Sequence, residues 1–114
     1  MARHISDFML NGPQNLREGE SYFRVTYCDT RSEIPLIETW IYVGKDLLEG
    51  DGPRAAKWYF QDPDSYINQG HFLQLSKEQE HRFFATDAEV VETFFNFSGL
   101  RNALACLEPK NVKR

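Results

Sequence analysis

A chain of 114 residues, 41% hydrophobic and 26% charged, has the size and make-up of one folded domain spanning 1–114, which excludes two separate cores and general disorder. Its net charge of −4 repels a phosphate backbone, so nucleic-acid binding is not expected. No stretch approaches the length of a membrane span and the first residues hold no apolar run, so the chain reads as a cytoplasmic protein with no membrane role.

Nine Phe, five Tyr and two Trp call for a core built largely of rings, and rings suit a pleated sheet better than a helix. Cys28 and Cys106 lie far apart in the chain and outside any CxxC or other metal-ligand spacing. Both are expected as buried, reduced thiols.

Residues 3–11 suggest a helical turn or two, capped by Ser6 or Asp7 and ended by Gly12. From Ser21 to Cys28, Phe23, Val25 and Tyr27 alternate with Arg24 and Thr26, which predicts a strand with one apolar face. A second strand runs from about Pro35 to Gly44. Ile37, Thr39, Ile41 and Val43 form one face, and Leu36, Glu38, Trp40 and Tyr42 the other. Both are largely apolar, as a central strand requires. The short Asp29–Glu33 connection predicts an antiparallel hairpin. The break at 49–53 reads as a turn. Residues 55–61 supply a third strand, with Trp58 and Phe60 on one face and Tyr59 and Gln61 on the other.

Asp62-Pro63 reads as an N-cap followed by proline at the first helical position, and Gly70 as the residue that ends a two-turn helix. His71–Leu75 and Glu80–Ala85 are expected to pair across Ser76–Gln79, a capping box at Ser76–Gln79 being the rival reading. Thr86-Asp87-Ala88-Glu89 has the pattern of a second capping box. Beyond it, Val90, Phe94, Phe97, Leu100, Leu104 and Leu107 recur at helical spacing, interrupted at Ser98-Gly99 and stopped by Pro109. One broken helix or two short ones are expected over 87–107, with 109–114 a frayed basic tail. Strands first and helices last give an α+β fold: an antiparallel sheet of about four to five strands with the C-terminal helices packed on one face.

No phosphate-binding glycine loop, nucleophile elbow, zinc-protease helix or calcium loop occurs in the sequence. Neither a metal site nor a cofactor is expected. His71 and His81 fall toward opposite ends of the predicted hairpin, too far apart to share a metal. The segment Trp58 to Tyr66 is the most distinctive. A core strand followed by a capped helix explains most of it. Its half-exposed Tyr59 and Tyr66, with Asp62 and Asp64, also suit a cationic group or a protein interface. Glu38 is expected to pair across the strands with Arg24 or, if buried, to serve a ligand pocket. His71, directly after Gly70, is placed at the mouth of a cleft. Phe94, Phe95 and Phe97 cannot all face one core, and an exposed Phe95 would point to a homodimer.

The function expected is a non-catalytic protein-binding module that neutralises or regulates a basic protein partner, as bacterial immunity proteins do by analogy alone. Its binding residues would be drawn from Glu38, Tyr59, Asp62, Asp64, Tyr66 and His71. Two other classes stay open. One is a small-ligand domain with a pocket between sheet and C-terminal helices. The other is an enzyme with a dispersed site using Glu38, Asp62 and His71.

Overall fold

The two alternating runs on either side of Asp29 fold back on each other. Strands β1 (Ser21–Tyr27) and β2 (Pro35–Lys45) pair antiparallel, from Ser21 against Ile41 to Tyr27 against Pro35. Asp29 closes the turn by accepting the amides of Glu33 at 3.0 Å and Ile34 at 2.9 Å. The Ile34 amide, with the others around it, holds the Asp29 carboxyl below its usual range. Strands β3 (Trp58–Gln61) and β4 (Phe83–Thr86) complete one antiparallel sheet in the order β1-β2-β3-β4. The computed structural model describes residues 4–31, 33–48 and 56–106. The expected turn at 49–53, the first residue of the predicted third strand, Leu107, Pro109 and the basic tail lie outside them.

With helices α1 (Pro63–Gln69), α2 (Ala88–Val91) and α3 (Phe97–Cys106), the fold is α+β. Residues paired in register share a face of the sheet. One face therefore carries Tyr22, Arg24, Glu38, Trp40, Tyr42, Phe60 and Phe84, and the other Phe23, Val25, Ile37, Ile41, Tyr59 and Phe83. On the first, Tyr22, Tyr42 and Phe60 pack with Leu10, Val91 and Phe94. The buried Tyr22 hydroxyl is satisfied locally, accepting from the Arg17 amide at 2.8 Å and donating to the Asn15 carbonyl at 3.3 Å. On the second, Ile41, Val43 and Tyr59 pack with Phe72, while Phe95, Leu100 and Ala103 cover Phe23 and Val25.

The C-terminal region is two short helices, and the break falls earlier than Ser98-Gly99. Phe95 exchanges both backbone hydrogen bonds with Phe23 at 2.8 Å, so the chain is extended there. Asn96 then caps α3, its Oδ1 accepting the Gly99 amide at 2.7 Å. A Cβ on Gly99 would collide with the Phe8 carbonyl oxygen, so this glycine is what lets α3 approach the 3-10 turn Ile5–Phe8. Among the described residues of the predicted 3–11 segment, that turn is all the helix formed. The extended link reverses the expected roles of two rings: Phe95 is fully buried, whereas Phe97 of the predicted stripe is 68% exposed. The cap of α2 is Asp87, accepting from the Val90 amide at 3.0 Å, because Thr86 is still in β4.

Two further expectations are corrected. Residues 71–75 are not a strand but hold the 3-10 turn Phe72–Gln74, because side chains take the amides a ladder would need. Gln61 Oε1 accepts from Phe72 and His71 Nδ1 accepts from Leu73. The strand predicted at 80–85 pairs instead with β3, Phe84 opposite Phe60. Both cysteines are exposed rather than buried.

Because β3 has only four residues, it meets β2 over Ile41–Lys45 alone. The other half of β2 and the β1 residues opposite run on beyond β3 as an arm; its base is covered, by Phe84 against Trp40 and by Phe95 and α3 against Phe23 and Val25, and its end carries the exposed Ile34, Leu36 and Ile37.

Candidate functional site

Asp62-Pro63 starts α1 as the sequence implies, and Gly70 ends it with φ of +100°, a backbone conformation that glycine adopts without strain. Asp62 is almost fully buried and all its hydrogen bonds are internal. Oδ2 accepts the Ser65 amide at 2.9 Å; Oδ1 accepts the Ser65 hydroxyl at 2.6 Å and the Arg82 amide at 2.7 Å. Burial pushes its carboxyl up, but the Ser65 and Arg82 hydrogen bonds and the Arg82 charge outweigh burial and hold it below the usual range. Gln61, fully buried, continues the chain of bonds. Its amide donates to Ser65 Oγ at 2.8 Å and to the Gly70 carbonyl at 3.0 Å, and accepts from Phe72 at 2.8 Å. The network ties β3, α1, the 72–74 turn and β4 together.

The sign of the Asp62 shift fixes a pH dependence. A carboxyl whose folded pKa is depressed contributes stability that is present above its unfolded value, near 4, and lost as pH falls through the folded one. Asp62→Asn keeps a capping side chain and removes the charge. It is expected to cost roughly 0.5–2 kcal/mol at neutral pH, and the difference from wild type should close as pH drops below about 4. Urea unfolding followed by the fluorescence of Trp40 and Trp58 checks this; a gap that stays constant into acid would contradict it.

The six predicted site residues fall into three places. Asp62 and Asp64 line a cleft of about 460 Å³ with Ser65, Asn68, Gln69, Glu80 and Arg82. Exposed Asp64 accepts from the Asn68 amide at 3.2 Å. Tyr59, Tyr66 and His71 belong to the core beside that cleft. Tyr59, expected to be half-exposed, is 1% exposed and stacks on Phe72 at 6.0 Å, because its face of β3 lies beneath α1 and the 72–74 turn. Tyr66 packs against the same cluster. His71 does not open onto the cleft: Nε2 meets the Val43 carbonyl at 2.9 Å and Nδ1 accepts from Leu73 at 3.1 Å, a pattern that fits the Nε2-protonated neutral ring. Glu38 stands apart on the arm. It pairs with Arg24 at 3.7 Å, with both side chains about two-fifths exposed, and accepts from the Trp40 indole at 3.3 Å.

His71 and His81 are also placed differently from expectation. They flank one stack of rings, in which His71 lies 5.1 Å from Phe72, Phe72 4.1 Å from Phe83 and Phe83 6.1 Å from His81. Among the described residues no group of three His, Cys, Asp or Glu side chains could hold a metal ion, and no helix is long and apolar enough to cross a membrane.

None of the six predicted residues except Glu38 lies on the arm. There Ile34 is 57%, Leu36 48% and Ile37 39% exposed. Its face with Val25 and Ile37 continues through Phe23 to the exposed ring of Phe97, 6.4 Å away. The signal in the sequence is Leu36 and Ile37 near the start of the predicted Pro35–Gly44 strand, whose largely apolar faces read as those of a central strand. Compared with protein-family models, with curated proteins and with solved structures, the chain matches none.

Proposed function

We propose that this chain is a non-catalytic protein-binding module and that its contact element is the two-stranded arm, not the Tyr59–Tyr66 segment. The observation that carries this reading is the exposure of Ile34, Leu36 and Ile37 on a hairpin that runs beyond β3. The end of a two-stranded ribbon is marginal in water by itself, and apolar side chains exposed on both of its faces, Ile34 and Leu36 on one and Ile37 on the other, mark a surface open to a partner. The alternatives have less support. The cleft beside Asp62 is lined by charged and amide groups, where a small ligand is usually held by apolar walls. The Asp62 oxygens are engaged by backbone and Ser65, which leaves Asp62 a poor general base. The net charge of −4 supports a basic partner that the module would neutralise or regulate.

Affinity capture from the native lysate tests the reading with three baits: wild type, Leu36→Lys/Ile37→Lys and Asp64→Asn. Each buried Leu or Ile contributes about 1.5–3 kcal/mol, so the arm variant should lose its partner by tenfold or more per side chain. Asp64→Asn should retain the same protein, and added salt should weaken capture of a basic one. Equal capture by the arm variant, with an unchanged circular dichroism spectrum, would remove the arm from the interface.

A further inference from the structure

The backbone of β1 is as informative as its side chains. In an antiparallel sheet, alternate residues turn both amide and carbonyl toward the same neighbour. Cys28 donates to the Ile34 carbonyl, and Glu20 accepts from Tyr42, so even-numbered residues of β1 face β2. Phe23, Val25 and Tyr27 therefore face outward. Phe23 is paired with Phe95, after which the chain enters α3. The outward groups of Val25 and Tyr27 have no partner among the described residues. Natural edge strands carry a proline, a bulge or inward charge that discourages pairing. The outer edge of β2 in the arm begins with Pro35 and has that protection; Val25-Thr26-Tyr27 has none of it.

We propose that the open edge of β1 pairs antiparallel with β1 of a second copy of this chain, about a two-fold axis through Thr26. The inference rests on the arm being the contact element and adds that it is shared: a second copy takes the backbone edge of β1, and the basic partner takes the apolar side chains of the paired arms. Two open residues placed symmetrically about Thr26 are what a closed, isologous strand pair needs. Val25 meets Tyr27 of the other copy, and Tyr27 meets its Val25, giving four backbone hydrogen bonds. The side-chain pairs are compatible. Valine lies against tyrosine on one face, and threonine against threonine on the axis; both are favourable cross-strand combinations. Arg24 falls opposite Cys28, so no like charges oppose each other. The second copy turns away at its own Asp29, where the edge is already occupied by Phe95. Exposed Leu36 and Ile37 flank the junction on the two faces, so pairing the arms brings the apolar side chains of both copies together.

Sedimentation equilibrium of wild type, Thr26→Lys, Thr26→Glu and an equimolar mixture of the two variants tests the axis. Wild type should be a dimer, each variant a monomer because like charges meet on the axis, and the mixture a dimer again. Hydrogen exchange on the wild type provides a measurement that needs no variant: the Val25 and Tyr27 amides, without acceptors in one copy, should be protected and lose protection on dilution. A wild type that stays monomeric with those amides exchanging freely overturns the dimer, as does a dimer that both charge variants leave intact. In the first case, loss of lysate capture by Leu36→Lys/Ile37→Lys still upholds the arm as a surface for a different protein. If capture is also unaffected, the arm reading fails too.

Discussion

Phe60→Ala is expected to lower stability by about 3–5 kcal/mol, the cost of emptying a fully buried ring site that its neighbours cannot fill. Phe60 is fully buried and lies in contact with rings on every side of its cluster. It stacks on Phe94 at 4.7 Å and Phe84 at 5.4 Å, and meets Tyr42 at 5.5 Å and the edge of Tyr22 at 6.5 Å. These rings come from β1, β2, β4 and the segment after α2, so relaxation into the cavity would have to move several elements at once. A loss of that size is a large share of the ~5–15 kcal/mol that holds a domain folded. Phe97→Ala is the matched comparison. The same truncation on a ring 68% exposed should change stability by no more than about 0.5 kcal/mol. Urea denaturation of both variants checks the contrast, and near-equal midpoints would refute the assignment of the core.

Gln61→Leu should cost about 2–5 kcal/mol although leucine is similar in size and more apolar. The loss is in hydrogen bonds rather than volume. Leucine leaves the Phe72 amide without its acceptor and the Gly70 carbonyl and Ser65 hydroxyl without their donor. Each buried group left unsatisfied costs roughly 1–3 kcal/mol, partly relieved where water enters. Because the amide joins β3 to the 72–74 turn, the damage should appear first as faster amide exchange over 70–75, ahead of global unfolding. If exchange there is unaffected and the midpoint moves by less than about 0.5 kcal/mol, the network is not what fixes this turn.

The arm and the Gln61 network explain why the sequence-level site was only partly legible. Asp62 was found because an N-cap, a proline and a terminal glycine are local signals, each set by backbone geometry within one turn. Its use as a cap is also why it is not a free carboxylate, which its local sequence does not reveal. Tyr59 was misplaced because an alternating strand pattern gives no sign of what covers each face; here α1 and Phe72 cover the face of Tyr59. The arm was missed because an apolar run on both faces of a strand has the same pattern whether the strand is covered or left open.

The amino-acid order by itself determined the β1–β2 hairpin, the capped helix α1, the helical character of the C-terminal region and hence the α+β class, since each follows from periodicity and turn chemistry over a few residues. Only the tertiary structure decided that 71–75 gives its amides to side chains, that Phe95 turns inward and Phe97 outward, and that half of β2 lies beyond β3. Those outcomes depend on competition for hydrogen-bond partners and covering surface between segments distant in the chain, such as Gln61 with Phe72 and Phe23 with Phe95, and local propensity does not record which competitor is within reach.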